Sequence, residues 1–219
     1  MAIQIQGANG VTQQVDGSVY QAGRVAVRPL DHGTLGHYRI ATTVALPVST
    51  VANATLFSFR WGDATRVCVP TYIRLECIQT APATATIMPS FEVVVARSFS
   101  ISDSAGTAVT LTGNNMKKRT NMGTSLVTDI RKAALAAGLT AGTRTLDTEA
   151  AMQMPTVQTI TTPNTTSYSK ELDLTNAADH PIVLVANEGF IIRGPSVAFG
   201  AAGTANLMID ICWAEVASY

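Results

Sequence analysis

Three histidines, three cysteines and fifteen carboxylates are the groups in this chain that could bind a metal, attack a carbonyl or move a proton. Their spacing argues against each of those chemistries. His32 and His37 flank a turn at Gly33, His180 stands far off in sequence, and none lies beside a cysteine. Cys68 and Cys77 are separated by a stretch containing Pro70, whereas paired zinc ligands are usually spaced by about two to four residues. A serine nucleophile on a strained elbow requires Gly-x-Ser-x-Gly, which is absent. Cys68 and Cys212 fall in apolar, strand-like runs, where a thiol packs as a small hydrophobe and stays unreactive. The candidate carboxylates, Asp147 with Glu149, Glu171 with Asp173, and Glu188, carry nothing that sets them apart from solvated strand and turn positions. Gly200-Ala-Ala-Gly203 has no following lysine and leads into a strand, so it does not read as a phosphate loop. The expectation is a chain with no catalytic residues, no metal ligands and no cofactor.

One short segment concentrates charge. Lys117, Lys118 and Arg119 follow the turn residues Gly113-Asn-Asn115. Such a run is either a contact for an acidic partner surface or phosphate, or a solvated hairpin tip. No aromatic residues interleave with it to stack on bases. Formal net charge is zero, which removes the global field that draws a protein to nucleic acid or an anionic membrane.

Positioning falls to strands. Charged residues make up 14% of the chain, against about 25% in an average soluble domain. Threonine, alanine, serine and asparagine take their place. A surface of that kind suits faces covered by neighbours, because a charge costs far more to desolvate than a methyl or hydroxyl group. The amino terminus lacks the basic and apolar regions of a signal peptide, and no apolar run approaches the ~20 residues of a membrane helix. Synthesis and folding in a reducing cytoplasm are expected, with the odd number of cysteines forming no disulfide framework.

Residues 1–23 are rich in glutamine, glycine and asparagine and read as an extended arm, either a disordered tail or a strap that adds to a neighbour. Ile3, Ile5, Val11, Val15, Val19 and Tyr20 give a strap something to bury, and with Lys117, Lys118 and Arg119 they are the candidate interface. From residue 24 onward, alternation predicts strands at 24–28, 38–46, 55–61, 66–79 with a break at Pro70, and 91–97. Thr55, Phe57, Phe59 and Trp61 would share one face of a half-buried strand. Further strands are expected at 108–112, 126–130, 143–147, 170–174, 181–186, 190–193 and 206–216, with one or two helical turns over 131–137. Residues 156–169 read as a loop, with a short strand at 157–161 as the alternative for its first part. In the final strand Leu207, Ile209, Ile211 and Trp213 face one way and Asp210 the other. The sum is an all-β, two-sheet β-sandwich, jelly-roll-like, in one domain over 24–219.

Several segments in fixed order carry a resemblance. They are Phe59-Arg-Trp-Gly-Asp-Ala-Thr-Arg66, Val95-Ala-Arg-Ser-Phe99, Leu111-Thr-Gly-Asn-Asn115 with Arg119-Thr-Asn-Met-Gly123, and Gly142-Thr-Arg-Thr-Leu-Asp147. His180-Pro-Ile-Val-Leu184, Asn187-Glu-Gly-Phe190 and the closing Trp213-Ala-Glu-Val216 complete the set. From about Arg24 the chain resembles proteins encoded among the structural genes of tailed bacteriophages and prophages. That resemblance implies a virion component on the capsid surface, made in the host cytoplasm. The implied role is capsid decoration or cement, in homo-oligomeric copies that bridge major capsid protein subunits. A tail, baseplate or fibre-associated protein that adheres to host glycan is the alternative it implies.

Overall fold

Side chains alternate across a strand with a period of two, so a run of alternating large apolar residues has to lie on a sheet with one face turned to the core. That rule organises most of this protein. The structure, a computed structural model, describes residues 36–114, 116–160, 168–173, 181–198 and 202–217, with the strand backbone at 5–6 and 12–13. By contacts the chain divides into residues 1–30 and residues 31–219. In the first unit β1 (Ile5–Gln6) pairs antiparallel with β2 (Thr12–Gln13). The side chains of Ile3, Ile5, Val11, Val15, Val19 and Tyr20, and the strand expected at 24–28, lie outside the described residues.

The second unit is built of β3 (Gly36–Leu46), β4 (Thr55–Trp61), β5 (Val67–Ala81), β6 (Ser90–Phe99), β7 (Thr107–Ala108) and β8 (Val127–Lys132), then β9 (Arg144–Leu146), β10 (Met152–Pro155), β11 (Tyr168–Asp173), β12 (Glu188–Arg193) and β13 (Thr204–Val216). Two antiparallel sheets pack face to face, and no helix occurs among the described residues. One sheet has the order β11-β5-β13-β3. The other runs β10-β6-β12-β4-β8-β7, with β9 also on β6. The chain alternates between sheets from β3 to β6 and again from β10 to β13, so each sheet is assembled from strands distant in sequence.

The core lies between the sheets. From the four-stranded sheet come Tyr38, Ile40, Val44, Ile73, Leu75, Leu207, Ile209, Ile211 and Trp213, all buried. Phe57, Phe59, Trp61, Phe91, Val93, Phe190 and Ile192 meet them from the other. Phe59 stacks on Phe190 at 4.9 Å and meets the Trp213 ring edge-on at 5.3 Å, so an aromatic pair spans the two sheets. The break anticipated at Pro70 is a bulge: Trp213 pairs with Pro70 and Cys212 with Tyr72, leaving Thr71 unmatched.

Several local expectations are corrected. β4 is not half-buried: on its far side Arg60 donates to the Phe99 and Ser100 carbonyls, and on the same face of the neighbouring β6 and β12 Val94, Ala96, Phe99 and Ile191 form a second apolar cluster with Leu146 and Ala150. A register shift opposite Leu56 also takes Thr55 off the phenylalanine face: Leu56 joins the main core, and the Thr55 hydroxyl accepts a bond from Arg144 at 2.8 Å. Residues 131–137 form no helical turn. Arg131 and Lys132 belong to β8, and the alanines beyond make a loop that Gly138, at φ +77°, turns back against β4. A Cβ at Gly138 would come within 2.7 Å of the Thr55 carbonyl oxygen, so only glycine fits there. Residues 181–186 are not a strand, and only Leu184 bridges to Cys68. Residues 108–112 contribute strand only at Ala108, while 152–155 form a strand that its short Met-Gln-Met alternation had left unread.

Candidate functional site

The cationic run sits on the edge of the four-stranded sheet. β3 is that sheet's last strand, and residues 116–118 lie along it. The Arg39 N–H donates to the Met116 carbonyl at 2.7 Å, and the Lys118 N–H donates to the His37 carbonyl at 3.0 Å. Tyr38 and Lys117 form the bridge between them. This register places Lys118 on the same side as His37 and Arg39. Arg39, Lys118 and Arg119 are exposed, whereas Lys117 is half-buried with its Nζ 3.4 Å from Asn114 Oδ1. The segment is thus no free hairpin tip. It caps the otherwise open edge of β3, and lysines at such an edge also discourage uncontrolled strand pairing.

Beyond the run the chain is fastened to the core. The Met122 sulfur accepts the His37 N–H at 3.2 Å, and the Gly123 carbonyl accepts the Tyr38 hydroxyl at 3.0 Å. Glu215 completes the anchor. The same alternation that turns Trp213 inward turns Glu215 inward two residues later, and its carboxylate is buried. It accepts bonds from the Ser125 hydroxyl at 2.6 Å, the Leu126 N–H at 3.0 Å and the Trp213 indole N–H at 3.2 Å. Burial pushes the Glu215 carboxyl above its ordinary range, against those donors and the Arg66 charge, which favour the ionised form. Burial and the Glu215 charge raise the Tyr38 phenol to about 12. Tyr38 stacks on Trp213 at 5.6 Å, so this polar group is roofed by aromatic rings.

Other reactive groups are placed as packing. Cys68 and Cys77 are buried. Desolvation raises the first thiol well above its usual value and the second to about 12, so neither supplies thiolate near neutrality. Cys212 is only half-buried, on the outer face of β13, which corrects the expectation that it packs as a buried hydrophobe. His37 Nε2 lies 3.4 Å from the Thr71 hydroxyl. His32 and His180 lie outside the described residues. Among the described residues no three of His, Cys, Asp and Glu converge as a metal site. Of the carboxylates singled out, Asp147 pairs with Arg97 at 3.2 Å, and Glu188 Oε2 accepts the Val185 N–H at 3.0 Å. Glu171 stands 3.7 Å from Arg74, which also bonds Glu76 at 2.7 Å.

The arginines fasten loops to sheets. Arg60 donates to the Phe99 and Ser100 carbonyls at 2.6 and 2.7 Å and to Asn187 Oδ1 at 3.2 Å. Arg144, nearly buried, pairs with the fully buried Asp103 and lies over the Phe99 ring at 5.6 Å. Glu215, Asp103, Arg144 and Arg60 were all missed as organising residues. For Glu215 the signal was present, as one further step of the β13 alternation. Asp103 and Arg144 are too far apart in sequence for any local pattern to join them.

Comparison with known proteins adds no assignment: no family model matches the chain, and neither does any curated protein or solved structure.

Proposed function

We propose that this protein is a non-enzymatic structural component of a bacteriophage virion, a capsid decoration or cement protein that bridges shell subunits. The observation that carries this reading is how its charge is used. Arg74, Arg97, Arg131, Arg144 and Arg193 pair with carboxylates of the same chain, and Arg60 with its carbonyls. Much of the remaining surface is small and uncharged, while a compact cationic strip is bolted to one sheet edge. A rigid, charge-poor block with one localised cationic contact is suited to repeated docking on a regular lattice. Each contact is made weakly and many are made at once, so a second attachment occurs at high effective concentration. The sequence resemblance to phage structural proteins supports the same role.

The test is stoichiometry in purified particles of a phage that encodes the chain, measured by quantitative mass spectrometry. Abundance comparable to that of the major shell protein is the expected result. A few copies per particle would place the protein at a vertex or the tail, in favour of the host-adhesion role, and absence from the particle would refute both.

A further inference from the structure

The two ends of the sandwich differ in chemistry. At one end β3, β5, β8, β10 and β12 finish and β4, β6 and β13 begin, as the pairings of Leu46 with Ala205, Thr204 with Ala81, Arg193 with Thr55 and Pro155 with Ser90 require. The described residues of the loops there are 47–54, 82–89, 133–139, 156–160, 194–198 and 202–203. None contains an aspartate, glutamate, lysine or arginine. The cations bordering this end are engaged within the chain: Lys132 is bonded to the Thr43 carbonyl, Arg193 to Glu92, Arg131 to Asp129, and the nearly buried Arg144 to Thr55 and Asp103. At the opposite end are Asp63, Arg66, Arg97, Lys118, Arg119 and Glu188.

The uncharged end also exposes apolar side chains. Among the described residues, six of the eight exposed large hydrophobics belong to it: Val48, Val51, Met88, Leu135, Ile160 and Val197, from 44% exposed at Val48 to 80% at Met88. The loops bearing them are tied together. The Val51 N–H donates to the Ala136 carbonyl at 3.0 Å, Asn53 to Pro195 at 2.8 Å, Ile87 to Gln158 at 3.0 Å and Gly194 to Ala54 at 2.7 Å. Ser49 and Asn53 hold left-handed backbone within the first loop, at φ 58° and 55°. Apolar groups on a preorganised frame lose little freedom when a partner covers them.

We infer that this end is the surface through which copies of the chain associate with one another. Charge decides the occupant. When identical patches meet about a symmetry axis, a charge near that axis confronts its own sign, and like-charge contacts are strongly unfavourable. A patch with no charge avoids that penalty, and a net charge of zero removes repulsion between whole copies. A different protein would be selected by complementary charges, and this end offers none. The inference gives a surface to the self-association within the proposed virion role, and the purified chain tests it without any shell protein present.

The experiment is sedimentation velocity of the full chain over a concentration series, with Val51→Asp/Leu135→Glu and Ala134→Arg as variants and Val185→Asp as the control at the opposite end. Thermal melts accompany each. These side chains are exposed, so melting should hardly move. The wild type and V185D are expected to self-associate alike, and V51D/L135E to associate at least about tenfold more weakly. Ala134→Arg removes no apolar contact and adds only charge, so it supplies the answer if the double variant does not fold. A wild type that stays monomeric throughout the series would overturn the inference and leave this end to another partner. So would folded variants that associate as the wild type does. Neither result would touch the stoichiometry test of the virion role.

Discussion

Glu215 shows how one residue joins the core to the candidate interface. A carboxylate at the end of a row of Leu, Ile and Trp is costly to bury, and it persists because donors from Ser125, Leu126 and Trp213 converge on it. Those bonds hold residues 125 and 126, which follow the segment that carries Lys118 and Arg119, to β13. The raised carboxyl has a consequence for stability against pH. A group with a folded-state pKa above its unfolded value of about 4.5 binds more protons when folded, so its contribution is fully present below that pH. It is then lost as pH rises through the folded-state value. The melting temperature of the wild type should therefore fall relative to Glu215→Gln as pH is raised from 4.5 toward neutrality. Parallel melting profiles for the two proteins across that range would show that the carboxyl is not held in the way described.

Among the elements, the loops over the outer face of the seven-stranded sheet matter as much as the strands. Asp103 and Arg144 clasp two of them together, with Arg144 also reaching Thr55 and Phe99. Removing one member of a buried ion pair strands the other without compensation. Arg144→Ala is expected to destabilise the fold by about 3–5 kcal/mol, read by denaturant unfolding. A loss below about 1 kcal/mol would mean that solvent reaches Asp103 and the clasp is not closed. These loops also mark the boundary of what was legible. The period-2 signal located β3, β4, β5, β6, β12 and β13, because each presents large apolar residues to one core. It misjudged the exposure of β4, since what covers that strand arrives from 39 or more residues away. It read 181–186 as strand on hydrophobicity, where only Leu184 finds a ladder partner. The alanines after β8 suggested helix by local propensity, and packing against β4 overrode it. Of the candidate interface, Lys117–Arg119 was visible as a charge run, but its attachment to the β3 edge is a tertiary fact.

The molecule as a whole is a sandwich with a chemical polarity along its strands. One end has uncharged loops that are tied together and expose apolar side chains, while the other carries the exposed cationic strip and the pairs of Arg97 with Asp147 and Glu188. That division fits a block that presents chemically different surfaces at its two ends, as the proposed role requires. The proposed bridging of shell subunits would reinforce the shell, and the temperature at which particles release their DNA tests it most directly. Particles assembled without this chain should release DNA at a lower temperature than complete ones, and adding the purified protein back should restore the difference. Equal release temperatures with and without the chain, in particles that bind it at high copy number, would contradict the account.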